Sequence, residues 1–258
     1  VDGVTVLDGP RQFVNRLARP RPRTPRSVSF NVEVDRELRP GWLLRVGYLQ
    51  REGRREYVLN PIDDLAGDPT LELIDAGNSR YKEFQITTKY TLRENSFFNV
   101  SYVRSRATGN LNGFERFFGN FADPIIRPDE RSRLEEDVPN RFLFWGEIIG
   151  PKKILFFPVL EVRDGFAFSS IDAERNFVGP RNRAGRFPVF ATFDIQILRD
   201  FKVKAFGKVR KLRVGIKMFN LLRSFNPRDF QNNLDALDAG TFFNSRGRLF
   251  RGKLSIDF

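Results

Sequence analysis

From Tyr81 to Leu92 the chain takes turns between two kinds of residue. Phe84, Ile86, Thr88, Tyr90 and Leu92 share one side, and Gln85, Thr87, Lys89 and Thr91 share the other. Successive side chains of a β-strand point to opposite faces, so a period of two marks a strand with one apolar and one polar face. Val28, Phe30, Val32 and Val34 alternate in the same way with Ser29, Asn31, Glu33 and Asp35. Val189, Ala191, Phe193, Ile195 and Ile197 do so with Thr192, Asp194 and Gln196 between them, as do Leu212, Val214, Ile216 and Met218 with Arg213, Gly215 and Lys217. Helical spacing is not sustained over comparable lengths. The alternation predicts strands over 27–36, 42–58, 80–92, 96–108, 138–149, 154–166, 188–199, 208–220 and 247–258. Most reach the ~9–11 residues that a tilted strand needs to cross a bilayer.

The connections carry a second signal. Short ones are expected near 37–41 (Pro40-Gly41), 93–95, 150–153 (Gly150-Pro151) and 200–207; long ones near 59–79, 109–137, 167–187 and 221–246. Short and long alternate throughout. Outer-membrane barrels have tight periplasmic turns and long extracellular loops, whereas a soluble sandwich has no reason to gather its long loops at one end. The fold class expected is therefore all-β, an antiparallel transmembrane β-barrel segment of about 9–10 strands. Since the last strand must end on the periplasmic side, counting back makes residues 1–26, rich in Arg and Pro, an extracellular irregular segment, with 27–258 as the barrel portion.

The last strand is the most specific element. Phe250, Gly252, Leu254, Ile256 and Phe258 form one face, against Arg251, Lys253, Ser255 and Asp257. A terminal Phe preceded by apolar residues two and four positions back resembles the signal read by the barrel-assembly machinery. It presents an unfinished strand edge with a lipid-ready face. Trp42, Tyr48, Tyr81, Tyr90, Tyr102 and Trp145 lie near strand ends and are candidates for interfacial aromatic girdles.

Composition removes several classes of function. Only 40% of the 258 residues are hydrophobic, and no run approaches the ~18 apolar residues of a membrane helix. Cys and His are both absent. Disulfides, thiolate metal sites, Cys nucleophiles and His acid–base catalysis are thereby excluded. Carboxylate pairs such as Glu135-Glu136 and Asp63-Asp64 have no acid–base partner nearby in sequence, and Gly179-Pro180-Arg181-Asn182 matches no nucleotide-binding fingerprint. No catalytic, cofactor-binding or metal-binding residue is predicted, and no enzyme activity. The 28 Phe sit beside 29% charged residues. A structure apolar outside and polar inside accommodates both.

The net charge of +12 admits an anionic membrane surface or a nucleic acid. Arg and Lys crowd 19–26, 51–55, 127–133, 175–186, 202–213 and 246–253, mostly in loops, at strand ends or on the polar face. That distribution is read as solvated surface and lumen lining, with external cations available to phosphorylated lipid headgroups; no nucleic-acid partner is expected. The chain opens on Val1 without a signal segment, so it is expected to be the C-terminal part of a longer protein.

Several motifs bear a family likeness. Tyr81-Lys82-Glu83-Phe84-Gln85-Ile86 precedes Ser101-Tyr102-Val103-Arg104-Ser105-Arg106-Ala107; Arg181-Asn182 and Arg186-Phe187-Pro188 lead into Phe193-Asp194-Ile195-Gln196-Ile197 and then Arg199-Asp200-Phe201. Phe219-Asn220-Leu221-Leu222 precedes Phe225-Asn226-Pro227-Arg228-Asp229 and Gln231-Asn232-Asn233. Together with the last strand, these resemble the C-terminal end of TonB-dependent outer-membrane receptors, in particular the Oar-like group with a carboxypeptidase-regulatory-like domain. The likeness spans roughly 80–258. It implies a barrel of about 22 strands, an N-terminal plug, and a TonB box coupling to the inner-membrane TonB complex. The implied function is energy-coupled nutrient uptake across the outer membrane, in contact with outer-membrane lipid. A passive porin-like barrel is the first alternative. A soluble basic β-protein binding glycan or nucleic acid is the second.

Overall fold

The computed structural model describes residues 14–63, 69–93, 96–111, 131–173, 177–205 and 207–257. Among these, nine long strands follow one another: β1 (Arg26–Arg39), β2 (Trp42–Asp63), β3 (Pro69–Arg93), β4 (Ser96–Gly109), β5 (Asn140–Ile149), β6 (Leu155–Arg163), β7 (Phe190–Ala205), β8 (Lys208–Phe219) and β9 (Leu249–Asp257). Each pairs antiparallel with its sequence neighbour, so the sheet is an up-and-down meander with β1 and β9 at its two edges. Every strand expected from the alternation is present.

One expected long loop is mostly strand. Over 59–79 the β2–β3 ladder continues, with Leu59 opposite Leu73, Pro61 opposite Leu71 and Asp63 opposite Pro69. The ladder shifts register between Arg54 and Glu56 and again before Val58, and Arg55 takes a φ of 58°. Pro61, Asp63 and Gly77 make this stretch read as loop, yet ladder bonds override weak local preference. Val14–Leu17 pairs in parallel with Thr70–Leu73, and Arg23 donates to the Asp75 carboxylate at 2.9 Å.

The registers bring an apolar row from every strand to one side. One row runs Val34, Val46, Ile86, Tyr102, Phe142, Val162 and Ala191 across β1 to β7. Another runs Pro158, Ile195, Met218 and Phe250 from β6 to β9. This side is open: Val34 is 62% exposed, Ile86 38% and Leu254 75%. The opposite side holds the small polar groups, and it is there that Asn99 (9%) and Ser101 (6%) are buried. Gln85 donates to Thr87 and Ser101 at 3.1 Å, while Asp35 with Arg45 and Asp200 with Arg213 form cross-strand ion pairs at 2.7 Å. A water-soluble sheet buries its apolar face and solvates the polar one. Here the burial is reversed.

The apolar belt on β3, Phe84 to Leu92, covers roughly 27 Å of strand, or about 20 Å of height at the ~40° tilt of such strands, close to the ~25 Å band of outer-membrane barrels. At its short-turn edge a file of rings crosses four strands: Trp42 to Tyr90 (6.2 Å between centroids), Tyr90 to Phe98 (5.4 Å) and Phe98 to Phe144 (6.1 Å). At the other edge, the Tyr48 and Tyr102 hydroxyls donate to Gln50 and Asn140, at 3.0 and 2.7 Å. Tyr81 and Trp145 do not belong to these girdles. Register puts Tyr81 beside Glu83 on the polar side, where its hydroxyl donates to that carboxylate. Trp145 faces Asn99, because Phe142 and Phe144 occupy the belt side of β5.

Candidate functional site

The long connections at one end fold onto one another. Ala167–Phe168 pairs with Gly185–Arg186, and Asp229–Phe230 with Phe242–Phe243. The two units are joined through Ile171, whose N–H donates to Asn232 O at 3.0 Å and whose carbonyl accepts from Leu234 at 2.9 Å. Between them sits a cluster of phenylalanines. Phe168 and Phe230 lie 4.1 Å apart, Phe230 and Phe242 4.5 Å, and Phe187 and Phe242 5.3 Å. Pairs like these contribute about 0.5–1.5 kcal/mol beyond area burial.

Buried polar side chains fasten this end to the strands. Arg181 is 1% exposed and donates to the carbonyls of Leu111 (2.8 Å) and Gly109 (2.7 Å), just past β4 and at its end. Asp137, 2% exposed, accepts from the Ala107 N–H at 2.6 Å and pairs with Arg186. Asn226 reads both polar groups of Ala191, accepting from its N–H at 3.0 Å and donating to its carbonyl at 2.9 Å, like one more residue of a ladder. Asn220 sits at a φ of 48° and donates to Ser224 O (2.9 Å) and Arg246 O (3.1 Å), which closes the turn after β8. Gly165 permits the tightest approach, since a Cβ there would lie 1.9 Å from Phe187 O.

Beneath this assembly, on the polar side of β6 to β9, lies a cavity of about 710 Å³. Arg163, Arg228, Arg246 and Arg251 line it, with Phe166, Phe190 and Phe219 as apolar walls. The Arg163 guanidinium lies 4.4 Å from the ring centroids of both Phe166 and Phe190, so two aromatic faces hold its orientation. Asp194 is the lining carboxylate among the described residues, and it already accepts from Thr192 Oγ1 (2.8 Å) and the Asn220 N–H (2.9 Å). Four guanidiniums against one occupied carboxylate suit a ligand that joins an anionic group to an apolar or aromatic body. Among the described residues no group of carboxylates is placed to hold a metal ion.

Asn220, Asn226 and Arg186 stand among the motifs singled out in the sequence, and here they serve as fasteners. Arg163 was not singled out. The alternation through Val162 assigns it to the polar side, but nothing local shows that Phe166 and Phe190 converge on it. In the last strand, Phe250, Gly252, Leu254 and Ile256 share the apolar side, opposite Met218, Ile216, Val214 and Leu212. The fifth residue of that expected signal, Phe258, lies outside the described residues, as does 112–130 of the expected loop 109–137.

No protein-family model matches the sequence, and no curated protein does. Among solved structures, the chain is similar to the outer-membrane transporter YddB from Escherichia coli. The TM-score is 0.69 at 13% identity, over 96% of this chain and 34% of that one. The chain thus spans about a third of the length of that neighbour. The fold is that of a transmembrane outer-membrane β-barrel wall, with antiparallel strands in an open segment of the ring.

Proposed function

We propose that this chain is part of the wall and extracellular mouth of an outer-membrane active transporter of the TonB-dependent type, taking up an anionic nutrient. One observation carries the reading: the side of the sheet rich in Val, Ile and Phe holds exposed large apolar residues on seven of the nine strands, among them Val34, Tyr48, Ile86, Tyr102, Phe201, Ile216 and Leu254, while Asn99 and Ser101 on the other side are buried. Lipid satisfies the first side and a plug or water the second. The likeness of fold to a transporter supports it, as do the family motifs around Tyr102, Asn220 and Asn226. In this reading the long connections face the exterior and Phe250, Gly252, Leu254, Ile256 and Phe258 form the signal for barrel assembly. The cavity beside Arg163 contributes to ligand capture. The complete ring has about 22 strands, a plug fills it, and the TonB complex drives it.

Fractionation of cells expressing the full-length parent protein tests the location. Recovery in the detergent-extracted outer membrane, with a shift in gel mobility on boiling, is expected; a detergent-free soluble protein would sink the proposal. Energy coupling is tested by uptake after collapse of the proton gradient. Transport that continues unchanged would instead fit a passive barrel.

A further inference from the structure

Above the apolar belt, on the same side of the wall, four guanidiniums converge around a cavity of about 550 Å³. Arg106, Arg131, Arg133 and Arg183 line it together with Thr108 and Ser132, and among the described residues no carboxylate does. The registers fix which way the strand residues point. Tyr102 belongs to the belt, so Arg106 and Thr108, four and six residues on, lie on the belt side of β4. Arg133 stands directly opposite Thr108, and Lys82 directly opposite Arg106. Like charges facing each other across a ladder repel. Glu52, on the belt side of the neighbouring ladder, is engaged by Arg80 at 2.5 Å and Arg54 at 3.6 Å. Four cations are thus gathered without a lining anion among the described residues.

The gathering rests on rigid supports. The buried Arg181 ties the 180–183 turn to the end of β4, Ser132 donates to the Arg181 carbonyl, and Arg131 donates to Asn78 Oδ1 at 2.9 Å. Height decides the environment. Arg106 stands opposite Lys82, two residues beyond Phe84 at the end of the belt, about 7 Å along the strand and roughly 5 Å in height at a ~40° tilt. The headgroup layer begins where the hydrocarbon ends and is roughly 5–8 Å thick. With Phe84 at the edge of the hydrocarbon, Arg106 stands at the level of lipid phosphates.

We propose that Arg106, Arg131, Arg133 and Arg183 form a binding site for the phosphomonoester headgroup of a membrane lipid on the outer wall. A phosphomonoester carries more negative charge than a phosphodiester and has three acceptor oxygens, which matches several converging guanidiniums. The inference rests on the membrane reading above, and it adds that the wall selects its lipid neighbour.

The parent protein, extracted from membranes in detergent, is titrated with short-chain phosphatidic acid, short-chain phosphatidylcholine and inorganic phosphate, each followed by equilibrium binding. Phosphatidic acid is expected to bind at least about tenfold tighter than either of the others. R106Q/R133Q is expected to weaken it about 30-fold, and R183Q alone about fivefold. K153Q, at the opposite end of the strands, leaves it unchanged. Equal binding of phosphatidylcholine, or of phosphatidic acid by R183Q and the unaltered protein, overturns the site. Inorganic phosphate binding as tightly as phosphatidic acid overturns the lipid assignment. A protein found soluble without detergent overturns the transporter reading itself, whereas a membrane-extracted protein with no lipid preference overturns this inference alone.

Discussion

In the wall, Val34, Ile86 and Tyr102 stand exposed in one row, with Val46 half-buried among them, and Asn99 and Ser101 are buried on the opposite side. At the loop end a small apolar core is buried, with Arg181 and Asp137 fastened beside it: Val58 (0%), Leu71 (2%), Ile171 (3%) and Ala167 (4%) are buried, and Arg228 and Arg246 are exposed. One chain thus obeys two opposite burial rules within a few strand residues of each other. The change of rule along β2 comes between Tyr48, on the open side, and the buried Val58, across a stretch with two register shifts. The difference teaches where the solvent changes. A wall with a greasy outside needs lipid beside it, and a loop end with a small apolar core needs water.

Substitutions at matched positions test that contrast. The largest effect is expected from Val58→Asp, which places a carboxylate in a fully buried site and costs about 4 kcal/mol. Hydrogen exchange should show the β2–β3 extension and the Val14–Leu17 strand opening while the wall stays protected. Ile86→Arg is expected to cost about 2–4 kcal/mol in the wall, although Ile86 is 38% exposed. Refolding equilibria in lipid vesicles measure this. If water bathed that side, the change would stay within about 0.5 kcal/mol, and the two-solvent contrast would break.

Asn226→Ala removes both bonds to Ala191 and leaves that residue's backbone groups without partners, at about 1–3 kcal/mol. Proteolysis should then nick 221–246 faster while the strands remain intact. The smallest effect belongs to Asp35→Asn. Its pair with Arg45 is half-exposed on both partners, so the smallest loss of the four is expected, shrinking further in salt. A larger loss would mean that the polar side is drier than its small hydroxyl and amide groups indicate.

How far the fold was legible varied with the kind of signal. In β3 the alternation from Phe84 to Leu92 has clean polar partners, so both the strand and its orientation follow from sequence, and the same series already puts Tyr81 on the polar side. In β5, Phe142-Leu143-Phe144-Trp145 is apolar at every position, so parity is ambiguous and Trp145 was assigned to the wrong face. Residues 59–79 were misread as loop because their prolines, glycine and acids lack alternation, and their pairing partner is another such stretch. The guanidinium cluster around Arg106 draws on residues 25 to 77 positions apart, and the cavity beside Arg163 depends on rings from 166, 190 and 219.

Side-chain alternation is a local property, since each residue's face is set by its immediate neighbours along the strand. The sequence by itself therefore determined the strands and which side is apolar, and it placed the connections apart from 59–79, which continues the β2–β3 ladder. Register between distant strands, the folding of the long connections onto one another, and the gathering of Arg106 with Arg133 and Arg183 depend on contacts that close only when the sheet assembles. Those were decided by tertiary structure alone, because a hydrogen-bonded ladder brings together residues whose separation along the chain carries no mark of their meeting.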